Sequence, residues 1–292
     1  MVANNGTQKS VLITGASTGI GRDAALHMAE IGFTVFAGVR KESDAATFSL
    51  NGSNRIQPVM IDVKDSESIE AAVKEIRSIV GDKGLDGLVN NAGIAIAGPL
   101  EFVPLDPARE QFEVNVIGQI AVTQACMPLL RKAKGRIVNI GSIAGIVPKP
   151  FAGLYGASKA AMEALTDAMR MELDPWGISV SIIEPGSIAT PIWEKSGATA
   201  LSLAEKMPPQ FHEYYGPAIE RLKSMAQNIG RNGDPVELVS KIIEHALTSD
   251  KPKTRYLVGK EAKLQARLSR ILSDRMLDRM ILKRIAALGK KK

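Results

Sequence analysis

Tyr155 and Lys159 stand four residues apart, 13 residues beyond Ser142. Positions four apart share one face of a helix, so this spacing sets an ammonium beside a phenol. A free tyrosine titrates near pH ~10, and a neighbouring cation favours the phenolate and brings that value down. A serine hydroxyl within reach can hydrogen-bond an oxygen that gains charge during reaction. Together the three make a proton-transfer centre for an oxygen that passes between carbonyl and hydroxyl. Taken alone, Tyr155 and Lys159 read more commonly as an exposed helical pair, and Ser142 as a strand-end serine.

A second constellation lies upstream. Residues 11–21 read VLITGASTGIG, an apolar run entering Gly15, Gly19 and Gly21 with a helical pattern behind them. Glycines admit positive φ and let a pyrophosphate approach the backbone. The helix N-terminus then offers free N–H groups and a positive dipole end. Residues 19–24 also fit G-x-G-x-x-G/A, a weak pattern by itself; the strand before and the helix after turn it into a dinucleotide site. The bland alternative is a tight glycine turn in any α/β protein.

The string T-G-x-x-x-G-x-G at 14–21 resembles the short-chain dehydrogenase/reductase family, and further motifs agree in order and spacing. They are Asp62-Val63, Asn90-Asn91-Ala92-Gly93, Asn115, Ser142, Tyr155-x-x-x-Lys159 and Pro185-Gly186 with Thr190 just beyond. The likeness spans about residues 8–260. It implies a Rossmann-like doubly wound seven-stranded parallel sheet with helices on both faces. It also implies NAD(P)-dependent interconversion of an alcohol and a carbonyl. On the matching positions, Ser142, Tyr155, Lys159 and Asn115 are catalytic, Asn115 holding a water that links Lys159 to solvent. The implied dinucleotide contacts are Gly15, Ser17, Thr18, Gly19, Ile20, Gly21, Asp62, Val63, Asn91, Ala92, Gly93, Tyr155, Lys159, Pro185, Gly186 and Thr190. Asp62 is implied to touch adenine; its alternative is a strand-end cap. VFAGVR at 35–40 looks like the retinol and hydroxysteroid dehydrogenase branch.

The elements that must position these residues are legible as alternation. β-Branched runs at 11–14, 34–39, 56–63, 85–90, 136–142, 179–184 and 255–258 predict strands, and the patterns near 19–31, 66–80, 107–131, 155–173 and 235–248 predict helices. Such alternation means βαβ units and a parallel sheet. We read one dinucleotide-binding domain over 8–260 and a C-terminal helical extension over 261–292. About 70 residues separate the last two strands, more than a connection needs. Four of the 13 aromatic residues, Trp193, Phe211, Tyr214 and Tyr215, fall in that excursion. The region 187–235 therefore reads as an apolar pocket wall or lid, with Phe151, Trp193, Phe211 and Tyr214 as substrate contacts. The alternative is a small satellite core. The substrate expected is a bulky apolar alcohol or ketone: steroid, retinoid or lipid-like.

An NAD site usually carries an acid at the end of the second strand. Here that position is Val39, followed by Arg40 and Lys41. An arginine can fork onto a 2′-phosphate, so Arg40 points to NADP(H) over NAD(H). Thr18 stands where some NADP-binding relatives have a second basic residue.

The composition excludes other classes. The lone Cys126 rules out an internal disulfide framework and fits a reducing, cytoplasmic setting. His27, His212 and His245 lack partners at metal spacing, so no metal is expected. No charge-free apolar run reaches the ~20 residues of a membrane span, and the N-terminus has no secretory h-region. The net charge of +6 divides into +11 over residues 251–292 and −5 elsewhere. An acidic body argues against nucleic acid as partner.

The tail pattern predicts two amphipathic helices with a break near Ser273-Asp274. Leu264, Leu268, Ile271 and Leu272 lie on one side, and Leu277, Met280, Ile281, Ile285 and Leu288 on the other. Packing on protein is the leading reading of these faces, and peripheral membrane contact is the second. The resemblance implies a homodimer through the helices beginning near 107 and 155, with the basic tail placed to alter a tetramer contact. The competing function is a non-catalytic NADP(H)-binding regulator on the same fold; a narrower one is an NAD-dependent alcohol dehydrogenase.

Overall fold

A computed structural model describes residues 8–49 and 54–288, apart from the side chains at 222, 225 and 284–288. Seven short strands form one parallel sheet: Ser10–Ile13 (β1), Thr34–Val39 (β2), Ile56–Met60 (β3), Gly87–Asn90 (β4), Arg136–Ile140 (β5), Ser179–Pro185 (β6) and Arg255–Val258 (β7). Their order is β3-β2-β1-β4-β5-β6-β7. Helices run over Gly19–Glu30 (α1), Glu42–Ser49 (α2), Ser66–Val80 (α3), Leu105–Phe112 (α4), Gly118–Ala133 (α5), Ile143–Ile146 (α6) and Gly153–Leu173 (α7). They continue over Ile192–Ala204 (α8), Pro209–Asn232 (α9), Glu237–Thr248 (α10), Lys260–Ile271 (α11) and Asp274–Leu288 (α12).

Alternate strand residues face opposite ways, and both faces are covered. Val11, Ile13 and Val35 pack with Ala24 and Met28 of α1 and with Val239 and Ile243 of α10. Leu12, Phe36 and Leu88 pack with Val73 and Ile76 of α3 and with Val122 and Leu130 of α5. This two-sided burial explains why β1 and β4 are buried at every position. The chain winds outward from β1 to β3, then returns to place β4 on the other side of β1. Loops leaving β1 and β4 therefore open a crevice at their carboxyl ends, where open α/β sheets bind ligands.

The structure refines several sequence expectations. The single helix expected over 107–131 is α4 and α5 joined by a π-helical turn, Glu113–Ile117. The third strand ends at Met60, because its neighbour β2 offers no backbone past Val39; Asp62 and Val63 lie in the loop that follows. The excursion before β7 contains two helices, α8 and α9, outside the predicted helical patterns. Its two ends are tied together: Ser187 O accepts from Asp234 N at 2.8 Å, and Asp234 O accepts from Ala189 N at 2.9 Å. The tail forms α11 and α12 with the expected break. Lys290, Lys291, Lys292 and the side chains of Ile285 and Leu288 lie outside the described residues.

Candidate active site

The glycine turn follows β1. Gly15 (φ 64°) and Gly19 (φ 57°) take the left-handed conformation that favours glycine. A Cβ on Gly21 would collide with the Gly15 carbonyl oxygen and the Asn91 amide. Thr14 and Asn91 hold this turn against the end of β4. The Thr14 hydroxyl accepts from the N–H groups of Asn91 and Ala92, both at 3.0 Å, and Asn91 Nδ2 donates to the Thr14 carbonyl at 2.9 Å. Thr18 begins α1, but its side chain makes no capping hydrogen bond. The helix N-terminus is thus left open to an anion.

Ser142 leaves β5 and caps α6, its hydroxyl accepting from Ala144 N at 3.1 Å. Two glycines then let α6 lie against α7. A Cβ on Gly145 would stand 2.9 Å from the Lys159 carbonyl carbon, and one on Gly156 2.9 Å from the Ala144 carbonyl oxygen. This contact brings Ser142 to Tyr155, with which it shares a hydrogen bond. Lys159, one turn further along α7, is buried, and its ammonium donates to the Ile140 carbonyl at 2.7 Å. The Lys159 nitrogen stands 5.8 Å from the Tyr155 ring centre.

The charge states differ from the simple expectation that Lys159 lowers the tyrosine. Burial penalises the phenolate and raises the Tyr155 pKa, opposed by the Ser142 hydrogen bond. Burial also pushes the Lys159 ammonium down to about 8, opposed by the carboxylate of Glu163. Burial dominates at Tyr155, and the Lys159 ammonium is itself held by the Ile140 carbonyl.

Asn115 sits in the middle of the π turn, an interruption common at functional sites. Its amide accepts from Ile94 N at 2.8 Å and donates to Ile94 O at 2.9 Å and to Ser158 Oγ at 3.0 Å. Its side chain therefore clamps the loop after Gly93 against α7. Two buried asparagines brace the same region. Asn90 donates to Thr123 Oγ1 and to Asn139 Oδ1, both at 2.9 Å, and Asn139 donates to Thr166 Oγ1 at 2.8 Å. This chain of bonds links α5, β4, β5 and α7. Sequence reasoning missed Asn139, Thr123 and Thr166, which carry no local signal.

It also missed an ionic cluster behind Lys159. Arg255 of β7 donates to Glu163 of α7 at 2.5 Å and to the fully buried Glu184 of β6 at 2.7 Å. Burial and the neighbouring Glu163 push the Glu184 carboxyl up to about 8.

All the sequence-chosen dinucleotide contacts except Gly21 line one cleft of about 390 Å³, and Ser142, Tyr155 and Lys159 line it too. Gly21 and Asn115 stand behind that lining. Arg40 and Lys41 are exposed on its rim with Asp44 and Asp62. Asp62 also caps its own turn, Oδ1 accepting from Lys64 N at 3.0 Å. Of the four substrate candidates, Trp193 lines the cleft, its indole N–H donating to Ile188 O at 2.7 Å. Phe211 is 3% exposed, in a satellite cluster with Phe102 and Tyr215. Phe151 (φ 66°) packs edge-on against Tyr215 at 6.1 Å. Tyr214 is 62% exposed. Among the described residues no group of three His, Cys, Asp or Glu could hold a metal. Burial raises the Cys126 thiol to about 12, leaving it inert.

The cleft fits a nicotinamide dinucleotide. The glycine turn packs without side chains against Asn91, Ala92 and Thr190 beside the cleft, and the α1 N-terminus that follows it is uncapped. The comparisons agree with this reading. A family model described as short chain dehydrogenase matches residues 9–200. The chain is 37% identical over 279 residues to the NADPH-dependent 3-dehydrocapnine reductase of Ornithobacterium rhinotracheale, covering 93% of this chain and 95% of that one. It is 36% identical to retinol dehydrogenase 5 of Mus musculus, covering 93% and 87%. A crystal structure of a short chain dehydrogenase from Burkholderia cenocepacia in complex with NADP superposes with a TM-score of 0.71 at 26% identity, covering 94% of this chain and 98% of that one. The chain belongs to the short-chain dehydrogenase/reductase family and is related to its retinol and hydroxysteroid dehydrogenase branch. Its activity is that of an NAD(P)-dependent oxidoreductase.

Proposed function

We propose that this chain is an NADP(H)-dependent oxidoreductase that interconverts a bulky apolar ketone or aldehyde with its alcohol. The observation that carries the chemistry is the meeting of Ser142, Tyr155 and Lys159 with the glycine turn at one cleft. Bound there, the nicotinamide supplies or accepts the hydride. In reduction Tyr155 gives its proton to the substrate oxygen while the Ser142 hydroxyl hydrogen-bonds that oxygen. Lys159 contributes positive charge that stabilises the phenolate left behind.

Arg40 supports NADP(H). It stands on the cleft rim beside Val39, where an NAD site would carry its acid, and among the described residues no hydrogen bond or ion pair engages it. Ile94, Ile188, Ile192 and Trp193 support an apolar substrate, because they give the cleft a hydrocarbon wall beside the polar centre. A panel of apolar ketones and alcohols with all four nicotinamide forms tests both points. The expected result is turnover of apolar ketones with NADPH preferred and the preference reduced in Arg40→Ala. Turnover confined to small polar carbonyls overturns the substrate assignment. An advantage for NADH unaffected by Arg40→Ala overturns the cofactor assignment.

We place the chain in the cytoplasm as a homodimer formed across α4–α5 and α7. Ile117, 50% exposed on the first of these faces, supports the pairing. Light scattering is expected to give twice the 31.3 kDa chain mass, and Ile117→Asp to shift it toward monomer. No helix among the described residues is long and apolar enough to cross a membrane.

A further inference from the structure

We propose that the outer face of α11 and α12 docks on an anionic lipid bilayer. The inner face of this tail already has its partners. Ala262 and Ala266 of α11, with Leu277 and Ile281 of α12, pack against Ile143 and Val147. The leucine side of α11, which the sequence offers as the natural packing face, points outward instead. Leu264 is 57% exposed and Ile271 67% exposed, with half-buried Leu268 between them on the same helix face. Met276 and Leu282 continue the exposed apolar series on α12.

Basic residues run beside this strip. Lys263, Arg267, Arg270, Arg275, Arg279 and Lys283 are all exposed. Among the described residues none of the six enters an ion pair. Charge decides among the possible occupants. A second copy set across a two-fold axis would bring like charges together. A nucleic acid would match the charge but leave the leucines and methionines in water. An anionic bilayer accepts both, with basic groups at the headgroups and apolar side chains at the acyl boundary.

The tail also reaches the cleft. The Ser187 hydroxyl in the loop after β6 donates to Glu261 at 3.1 Å, next to Pro185-Gly186. The same tail covers α6, whose cap is Ser142. Docking would therefore hold the cleft close to a lipid phase, from which an apolar substrate partitions. The inference stands apart from the oxidoreductase reading, since vesicle binding is measured without turnover.

The test is co-sedimentation of the full-length protein with phosphatidylcholine vesicles and with vesicles containing equal parts phosphatidylglycerol. The protein is expected to sediment with the anionic vesicles only, and to be partly released by salt. The double change Arg267→Gln with Arg270→Gln should weaken partitioning by on the order of 5-fold for each basic side chain removed. Leu264→Ser with Ile271→Ser should abolish what binding survives raised salt. Both variants should keep wild-type activity on a water-soluble ketone. The proposal is overturned if the wild type stays in the supernatant, or if both double variants sediment as it does. It is also overturned if Leu264→Ser with Ile271→Ser lowers the mass seen by light scattering, which would put a second copy on the strip.

Discussion

Near neutral pH the Tyr155 phenol keeps its proton and Lys159, with its pKa near 8, keeps most of its charge. That is the state carbonyl reduction needs, since the donor must be protonated before the hydride arrives. As pH rises through about 8, Lys159 loses its charge and the phenolate loses its support. The kcat/KM for reduction should hold below that pH and fall above it. A flat profile from neutral to strongly alkaline pH would show that Lys159 ionises elsewhere. Tyr155→Phe should lower turnover by about 10²–10⁴-fold and leave dinucleotide affinity, measured by fluorescence titration, nearly unchanged. Near-normal turnover in the variant would assign the proton to another group. At this scale the sequence is most readable, because Tyr155, Lys159 and Ser142 sit at fixed spacings on elements that patterning reveals. The direction of their pKa values was not readable, because it depends on burial that no local pattern encodes.

The positions of these groups come from contacts between elements, which are harder to foresee. The α6–α7 contact at Gly145 and Gly156 depends on two glycines far from the dinucleotide turn. Gly156→Ala would push α6, and Ser142 with it, away from Tyr155. A displacement of about 1 Å costs roughly 10²-fold in rate, so kcat should fall while the melting temperature changes little. A loss of stability with kcat preserved would show that α6 follows the helix.

The Arg255 cluster lies at the same level, joining α7, β6 and β7. An unfolded glutamate titrates near 4.5, whereas folded Glu184 holds its proton to about 8. Between these values the folded chain binds more protons than the unfolded one, so this group lowers stability as pH rises. Melting temperatures of the wild type should decline relative to Glu184→Gln from about pH 4.5 to 8, and parallel curves would refute the shift. The sequence showed Glu163, Glu184 and Arg255 as unrelated charges, since they meet only where β7 pairs with β6 and α7 packs beside them. The π turn at Asn115 was hidden for a similar reason: the helical pattern runs through it unbroken.

Across the molecule, the sheet was legible because seven apolar runs alternate with amphipathic helices. The α8–α9 excursion was legible only as an aromatic-rich insertion. Its rings turn mainly to one another and to Phe102, so composition could not separate a pocket wall from a satellite core. The tail poses the sharpest question of organisation. We propose residues 8–260 as the dinucleotide-binding domain and 261–292 as its extension, yet α11 and α12 share a hydrophobic cluster with α6. Ending the chain at residue 260 would expose Ile143 and Val147 and remove the Glu261 acceptor of Ser187. Exposing two such side chains costs about 3–6 kcal/mol at full burial, and partial cover by the tail makes about half of that the expected loss. The shortened protein should melt on the order of 5–10 °C lower. Because Ser142 caps the uncovered helix, its kcat should fall too. Unchanged melting and unchanged kcat would mean that the domain is complete without its tail, leaving the surface of α11 and α12 as the tail's whole contribution.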